Sequence, residues 1–227
     1  MSTIGLVGAG HIGSTLARLA VAAGHDVVLS NSRGPETLRD LVEELGPQAC
    51  AATPQEAAKA ADLAVVTVPL VALRDLPAAE LAGKVVMDTI NYYPERDGHV
   101  AALDDESTTT SELVQEHLAD SRVVKVFNNI TSGALGTLAR PAGAPDRSAL
   151  AVAGDDADAK AAVTAFLDSI GYDALDLGPL AEGWRTQRDT AAYGLPYADG
   201  DDWSHPVPAD AARLRERVAA ARRYRDM

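Results

Sequence analysis

Three glycines near the amino terminus have the spacing of a phosphate-binding turn. The run GAGHIG contributes five candidate binding residues: Gly8, Gly10, His11, Ile12 and Gly13. An apolar stretch precedes the run, and apolar residues at helical spacing follow it, so the run predicts a turn from a strand into a helix. In such a turn the first glycine permits the bend, the second lets a pyrophosphate approach the backbone, and the third lets the helix pack on the strand. The free N–H groups at the helix start would then face the anion.

This pattern predicts a dinucleotide site, and the alternative is an ordinary strand–helix turn with three glycines. For His11 two interpretations stay open. Its side chain either lies near the bound pyrophosphate or nicotinamide, or faces solvent from the first turn of the helix.

A second polar group follows the next predicted strand, Asp26–Ser30. Sites specific for NAD usually have an acidic residue here, which binds the ribose hydroxyls. This chain has Asn31, Ser32 and Arg33 instead. An acid would repel a 2′-phosphate, whereas an arginine can donate two parallel hydrogen bonds to it. The sequence therefore predicts NADP(H) rather than NAD(H), with a polar turn and a solvated arginine as the alternative.

The elements that would position these residues alternate between strand and helix. Six strands are predicted: Thr3–Gly8, Asp26–Ser30, Gln48–Ala52, Asp62–Val68, Lys84–Asp88 and Arg122–Phe127. Helices are predicted at His11–Ala23, at Pro35–Leu45, after a capping box at Thr53, and at Ser111–Leu118 with Ser111 as the cap. This alternation predicts an α/β fold of the Rossmann type, a doubly wound parallel sheet with right-handed crossovers.

The pattern weakens beyond residue 140. A strand, a helix and a strand are predicted at Ala149–Ala153, Asp156–Ser169 and Asp173–Asp176, and a last helix at Ala209–Arg223. We therefore expect an NADP-binding Rossmann domain at residues 1–140 and a small C-terminal α/β extension at 141–227. The extension would complete the substrate pocket, a dimer interface or both. The aromatic and acidic residues of segment 183–203 are interpreted as packing, with substrate contact as the alternative.

Composition argues against several functional classes. A net charge of −13 disfavours nucleic-acid binding, which depends on neutralising phosphates. The single cysteine, Cys50, rules out an intramolecular disulfide and a cysteine-based zinc cluster, and its alanine neighbours predict a buried packing residue. The sequence has neither a signal-like leader nor about 18 consecutive apolar residues, so we expect a cytoplasmic protein without membrane contact. No catalytic residue and no metal site is predicted.

Further motifs make the chain similar to a known family, the NADPH-dependent F420 reductases (F420H2:NADP oxidoreductases) and their dinucleotide-binding relatives. The similarity extends from about residue 3 to residue 180 and rests on GLVGAGHIG, NSR, TVP, KVFNNI, AGDD and DLGPL, in this order. The resemblance implies that Thr67, Val68 and Pro69 line the cofactor after the fourth strand. It also implies that the segment containing Thr89 and Asn91 approaches the nicotinamide.

The same resemblance places Asn129 at this edge of the sheet, with turn formation as the alternative. It also implies a homodimer through the C-terminal segment. The implied activity is hydride transfer between NADP(H) and coenzyme F420 or a related flavin-like acceptor, a small-molecule co-substrate. Such a transfer between two bound cofactors requires no acid–base residue from the protein.

Two other functions stay open. An NADPH-dependent reductase of a small imine or carbonyl would need a proton donor near the nicotinamide. Candidates for that donor are Tyr92, Tyr93, Lys125 and His11. A non-catalytic NADP(H)-binding redox sensor would bind the cofactor without turnover.

Overall fold

The predicted alternation forms one eight-stranded sheet in the computed structural model, which describes all of residues 1–227. Its strands are β1 (Thr3–Val7), β2 (Asp26–Ser30), β3 (Ala49–Ala51), β4 (Leu63–Val66), β5 (Val85–Asp88), β6 (Arg122–Lys125), β7 (Ala149–Gly154) and β8 (Asp173–Asp176). Their order across the sheet is β3-β2-β1-β4-β5-β6-β7-β8. The first six strands have the order of a doubly wound dinucleotide-binding sheet. The predicted Rossmann-type α/β fold is confirmed.

Helices flank both faces of this sheet. The α-helices are α1 (His11–Ala22), α2 (Arg39–Leu45), α3 (Pro54–Ala60), α4 (Ala78–Leu81), α5 (Pro94–Asp97), α6 (Ala101–Asp104), α7 (Thr110–His117), α8 (Ser132–Thr137), α9 (Ala157–Ser169) and α10 (Ala211–Ala219). Short 3-10 helices occur at Pro35–Leu38, Leu70–Asp75, Leu180–Thr186, Leu195–Tyr197 and Tyr224–Asp226. A separate antiparallel pair consists of β9 (Ala198–Asp199) and β10 (Asp202–Pro206).

The sheet is parallel except between β6 and β7, which run antiparallel. The six strands predicted for the Rossmann part pair in parallel throughout, and the antiparallel pair joins them to the C-terminal extension. The connection between these strands, residues 126–148, contains one helix, the six-residue α8, which packs on α1, and β7 begins beyond the carboxyl end of β6 and runs back toward it. Only the last two residues of β7, Ala153 and Gly154, pair with β6. The rest of β7 therefore extends beyond the carboxyl end of β6.

Two apolar clusters occupy the two faces of the sheet. The larger one joins residues from both sides of the predicted boundary at residue 140, for example Leu16 and Phe127 with Leu150, Phe166 and Leu214. The smaller one lies under α3 and α7. The extension thus shares its core with the Rossmann part, and the division into two domains stays a prediction.

Three local predictions were wrong. Thr109, not Ser111, is the N-cap of α7, because Thr109 and Glu112 form the capping box. Cys50 lies in β3 as expected, but its side chain is exposed because β3 is the edge strand. The last helix, α10, has nine residues and is shorter than predicted, with Asp210 as its N-cap.

The helix after Thr53 begins with the predicted capping box: Thr53 accepts a hydrogen bond from the Glu56 N–H, and Glu56 accepts one from the Thr53 N–H. None of the helices combines the length and the apolar character needed to span a membrane. The dimer and the cytoplasmic location stay predictions.

Candidate dinucleotide site at the carboxyl edge of the sheet

The glycine turn joins β1 to α1 as predicted, but its three glycines are required for different reasons. Gly8 has a φ of 112°, and a Cβ there would lie 2.3 Å from the carbonyl oxygen of Thr67. A Cβ on Gly13 would lie 2.3 Å from the Gly8 carbonyl oxygen. Gly10, in contrast, has an extended backbone (φ −76°, ψ −162°), and a Cβ there would meet nothing within 4 Å. The fold itself needs Gly8 and Gly13, whereas it leaves the space beside Gly10 free.

Helix α1 begins at this turn without a side-chain cap and without an acidic residue in its first turn. The first N–H groups of an uncapped helix have no partner within the helix and attract an anion. His11 and Ile12 form this first turn, and the His11 side chain is exposed. The turn therefore presents free backbone donors beside the space at Gly10.

A cleft of about 290 Å³ opens over the carboxyl ends of β1, β2 and β4. Eight of the residues predicted from the sequence line it: Gly8, Gly10, Asn31, Ser32, Arg33, Thr67, Val68 and Pro69. Ligands of open α/β sheets bind beyond the carboxyl ends of the strands, where the strand order reverses. Here β1 lies between β2 and β4 at that reversal. The cleft is therefore at the expected position for a dinucleotide.

In the loop after β2, the Asn31 side chain is hydrogen-bonded within the loop, whereas the Arg33 side chain has no partner. Asn31 Oδ1 accepts a hydrogen bond from the Arg33 N–H at 2.9 Å, and Asn31 Nδ2 donates to Thr37 Oγ1 at 2.9 Å. The Asn31 amide thus shapes the loop. The exposed guanidinium of Arg33 makes neither a side-chain hydrogen bond nor an ion pair, so it is available to an anionic ligand.

The remaining predicted residues, Thr89, Asn91 and Asn129, lie at the same sheet edge but outside the cleft. Asn91 Nδ2 donates to the Asn128 carbonyl oxygen at 2.7 Å. Asn129 Nδ2 donates to the Ala192 carbonyl oxygen at 2.9 Å. Asn91 and Asn129 therefore tie the ends of β5 and β6 together and attach the C-terminal segment, while Thr89 is almost fully buried.

Beneath this half of the edge is a buried ion pair that the sequence analysis missed. Lys125 Nζ lies 3.1 Å from Asp88 Oδ2, and the two side chains are 3% and 0% exposed. Asp88 also accepts hydrogen bonds from Ser111 Oγ at 2.7 Å and from the Ile90 N–H at 2.8 Å. Lys125 Nζ donates to the Ile90 carbonyl oxygen and to Thr110 Oγ1 as well. Burial lowers the pKa of Lys125, and the charge of Asp88 opposes this shift.

The sequence contains a pattern that indicates this ion pair. Two adjacent apolar strands end in residues of opposite charge, and the parallel register of β5 and β6 places Asp88 opposite Lys125. The pair explains why Ser111 lies inside α7 rather than at its cap: its hydroxyl binds Asp88.

Three of the four candidate proton donors are already engaged. Tyr92 OH donates to Asp104 Oδ1 at 2.6 Å and accepts from the Val100 N–H at 3.0 Å. Tyr93 OH is hydrogen-bonded to Tyr193 OH, and Lys125 belongs to the buried pair. Desolvation raises the pKa of Tyr92, and its hydrogen bond to Asp104 adds to the shift. Only His11 has a free, exposed side chain.

The aromatic residues of segment 183–203 pack on the chain itself. The guanidinium carbons of Arg185 and Arg223 each lie 4.6 Å from the ring centre of Trp184. Tyr197 is buried, and its OH donates to the Ala149 carbonyl oxygen at 2.8 Å. The Trp203 ring lies against Gly194. These contacts agree with the packing interpretation of the segment.

Fold and cleft together define a nucleotide-binding protein of the Rossmann type. The profile of the family "NADP oxidoreductase coenzyme F420-dependent" matches residues 3–92, which contain β1 to β5, the glycine turn and the loop after β2. This match over residues 3–92 confirms the resemblance inferred from the sequence. No curated protein sequence matches the chain.

Solved structures agree with this assignment. A hypothetical protein from Sinorhizobium meliloti is 28% identical, with a TM-score of 0.71, over 83% of this chain and 91% of that one. A candidate F420-dependent NADP reductase from Arthrobacter sp. is also 28% identical, with a TM-score of 0.67, over 79% and 86%. A pyrroline-5-carboxylate reductase from Coxiella burnetii, 16% identical with a TM-score of 0.60 over 85% and 64%, shares the fold. The chain is an NAD(P)-dependent oxidoreductase.

Proposed function

We propose that this protein binds NADP(H) in the cleft and transfers hydride between it and coenzyme F420 or a related flavin-like acceptor. The observation that carries the proposal is the space beside Gly10. Its backbone conformation is open to any residue, and a Cβ there would meet no atom of the protein within 4 Å. A glycine is therefore explained here by a ligand that approaches the backbone, as a pyrophosphate does in this type of turn.

The residues of the cleft fit the parts of such a cofactor. The first-turn N–H groups of α1 would hold the pyrophosphate, and the unpaired Arg33 would hold a 2′-phosphate. When bound, the nicotinamide ring supplies or accepts the hydride. The chain's own contribution is to orient the ring, to exclude water and to hold the acceptor close to it.

The proposed hydride acceptor follows from the hydrogen bonds that the candidate proton donors already make. Reduction of an imine or carbonyl needs a proton donor near the nicotinamide, and of the four candidates Tyr92, Tyr93 and Lys125 are engaged within the protein, which leaves only His11. Transfer to a deazaflavin or flavin makes no such demand on the protein. The family match over residues 3–92 and the likeness to the Arthrobacter protein support the same choice.

The Gly10→Ala variant tests the cofactor site, with Gly136→Ala as its matched control. Gly136 lies in α8, and a Cβ there would be at an ordinary 3.5 Å from Thr15. We expect Gly10→Ala to leave the free energy of unfolding unchanged and to weaken NADPH binding at least tenfold, measured by fluorescence titration. We expect Gly136→Ala to change neither quantity. If Gly10→Ala binds NADPH as tightly as the parent, the ligand does not approach this turn and the proposal fails.

The acceptor is tested by following the absorbance of NADPH with F420, FMN, FAD and a panel of small imines and carbonyls. Oxidation with F420 or a flavin, retained in His11→Asn, is the expected result. Oxidation by carbonyls alone, lost in His11→Asn, would favour the small-substrate reductase. Tight binding without any oxidation would favour the sensor.

A further inference from the structure

The C-terminal residues 222–227, here called the strap, run over the part of the carboxyl edge that lies beyond β5 and β6. Helix α10, which precedes the strap, packs on β7 and β8. The strap itself contacts Glu106, in the loop between α6 and α7. Helix α7 begins near the carboxyl end of β5, where Ser111 binds Asp88. The strap therefore connects the outer strands with the region that follows β5.

Glu106 is the residue that holds the main chain of the strap. Its carboxylate accepts hydrogen bonds from the Tyr224 N–H at 3.1 Å and from the Arg225 N–H at 3.2 Å. Its carbonyl oxygen accepts one from Arg223 Nη1 at 3.4 Å. Glu106 is 8% exposed and has a φ of 56°, a left-handed conformation that a residue other than glycine keeps only when its surroundings hold it. All hydrogen bonds of this buried side chain go to the strap.

Two side chains of the strap also contact the C-terminal segment 183–203. Tyr224 OH donates to the Arg188 carbonyl oxygen at 2.7 Å. The guanidinium carbon of Arg223 lies 4.6 Å from the ring centre of Trp184. The surroundings of Trp184 therefore change when the strap leaves.

A polar cavity of about 20 Å³ adjoins the strap. It is lined by Arg223 and Tyr224 of the strap and by residues of the covered edge, among them Thr110 and Gln187. Thr110 Oγ1 accepts a hydrogen bond from Lys125 Nζ at 3.3 Å, so the cavity reaches the buried ion pair. Gln187 Nε2 is buried and has no hydrogen-bond partner in the protein. Because a buried donor without a partner is costly, the residues around this cavity include an amide that a ligand oxygen would satisfy.

A wider pocket of about 410 Å³ shares a wall with this cavity. Tyr92, Leu103 and Tyr224 line both spaces. Tyr224 is the only one of the three that belongs to the strap. Displacement of the strap would therefore join the two spaces into one pocket that extends to Thr110 and Gln187.

We propose that the strap is an autoinhibitory gate, which fills part of the place of the hydride acceptor until it is released from Glu106. The inference rests on the proposed function and names the regulation of the same site. Hydride transfer requires the reacting atoms of the two cofactors to approach to about 3–3.5 Å. The acceptor must therefore lie against the nicotinamide at the carboxyl edge of the sheet.

The space available at this edge supports the gate. The open cleft of about 290 Å³ lies over β1, β2 and β4, and the proposed function fills it with NADP(H). Beyond β5 the chain covers its own edge, so an acceptor beside the nicotinamide needs space that the closed strap restricts. A flavin-like ring carries carbonyl oxygens, and one of them would accept the hydrogen bond that Gln187 Nε2 has free.

Two full-length variants test the gate, with Glu116→Gln as the matched control. Glu106→Gln removes the charge that binds two backbone N–H groups, and Tyr224→Ala removes the wall between the two spaces. Glu116 is exposed in α7 and forms no ion pair, so its variant changes the net charge equally. We expect Glu106→Gln and Tyr224→Ala to lower the KM of the acceptor about tenfold, because apparent affinity rises with the open fraction of the protein. The dissociation constant of NADPH should stay unchanged, and the control should change neither quantity.

Release of the strap is measured separately through Trp184. With Trp203→Phe as the common background, Trp184 is the only tryptophan of the chain. We expect acrylamide to quench its fluorescence about twofold more strongly in Glu106→Gln than in the background protein, since the variant raises the open fraction. A lowered KM without a change in quenching would overturn the gate, because the effect would then arise elsewhere.

The kinetic outcomes separate the gate from the proposed function. An unchanged KM in both variants would overturn the gate, and a raised KM would show that the strap holds the acceptor instead of excluding it. In both cases oxidation of NADPH by the parent protein would leave the proposed function standing. If neither the parent nor the variants oxidised NADPH with F420, FMN or FAD, the proposed function would fail together with the inference.

Discussion

The two halves of the carboxyl edge of the sheet differ in what covers them. Over β1, β2 and β4 the edge is an open cleft, in which the charged groups of Arg33 and Asp75 have no partner. Over β5 and β6 the chain covers its own edge, and Asn91, Asn128 and Lys125 use their donors on neighbouring residues. Similar polar residues at strand ends therefore stay free for a ligand in one half and hold the fold together in the other.

The largest difference between the halves should appear in stability. Lys125→Met keeps the length of the side chain but leaves the buried Asp88 carboxylate without its cation. Removing one partner of a buried pair typically costs about 3–5 kcal/mol, and we expect a loss of this size in the free energy of unfolding, measured by urea denaturation. Arg33→Ala, the cation of the open half, should change it by less than about 0.5 kcal/mol.

A double variant separates the lost pair from a general packing defect. Lys125→Met combined with Asp88→Asn removes both charges, so its loss should be smaller than the sum of the two single losses. Additive losses would show that the two charges do not stabilise each other.

The next largest expected effect on stability concerns Asn128. Asn128 Nδ2 donates to the Thr186 carbonyl oxygen at 2.8 Å, and its Oδ1 accepts from Thr186 Oγ1 at 3.2 Å. Asn128→Ala would leave the Thr186 carbonyl oxygen without this donor, whereas the Thr186 hydroxyl keeps its hydrogen bond to the Gly183 carbonyl oxygen. We therefore expect a loss of about 1–3 kcal/mol in the free energy of unfolding. Asn31→Ala, the same change in the exposed loop of the open half, should cost much less. Equal losses would contradict the distinction between the two halves.

These contrasts explain what the sequence could predict. The glycine turn, the strands and the cleft residues depend on neighbours close in the chain, and local spacing was sufficient to find them. The roles of Asn128 and Asn129 depend on Thr186 and Ala192, about 60 residues later, which no local pattern connects to them. The antiparallel pairing of β7 with β6 likewise joins Val124 to Gly154, about 30 residues later in the chain.

In the open half the expected effect is on binding. Arg33→Ala should reduce NADPH affinity by about tenfold and NADH affinity much less, because only NADPH carries the 2′-phosphate for the guanidinium to bind. The ratio of the two dissociation constants is the measurement. Arg215→Ala, in the exposed face of α10, is the control for net charge. An unchanged ratio in Arg33→Ala would mean that the loop after β2 does not select the cofactor.

The smallest expected effect on stability concerns the exposed ion pair between Arg188 and Glu95. Arg188 forms two hydrogen bonds to Glu95, at 2.7 and 3.0 Å, and thereby links the C-terminal segment to α5. The hydrogen bonds from Arg188 lower the pKa of Glu95 to about 2, below the usual range of a glutamate. A carboxyl with a lowered pKa in the folded state stabilises it above the unfolded pKa, and this contribution is lost as the pH falls through the folded pKa. Any stability advantage of the parent over Glu95→Gln should therefore be constant above about pH 5 and decrease toward pH 2.

Urea denaturation of the two proteins across this range measures that difference. Glu36→Gln is the matched control in the open half, because Glu36 is exposed and has no ion-pair partner. Since the Glu95 carboxylate is exposed, solvent screens the pair and the difference should be small. The decisive readout is therefore how the stability difference depends on pH. A difference that persists unchanged to pH 2 would arise from packing of the Glu95 side chain. The charge of Arg188 would then have no part in holding the C-terminal segment over β5 and β6.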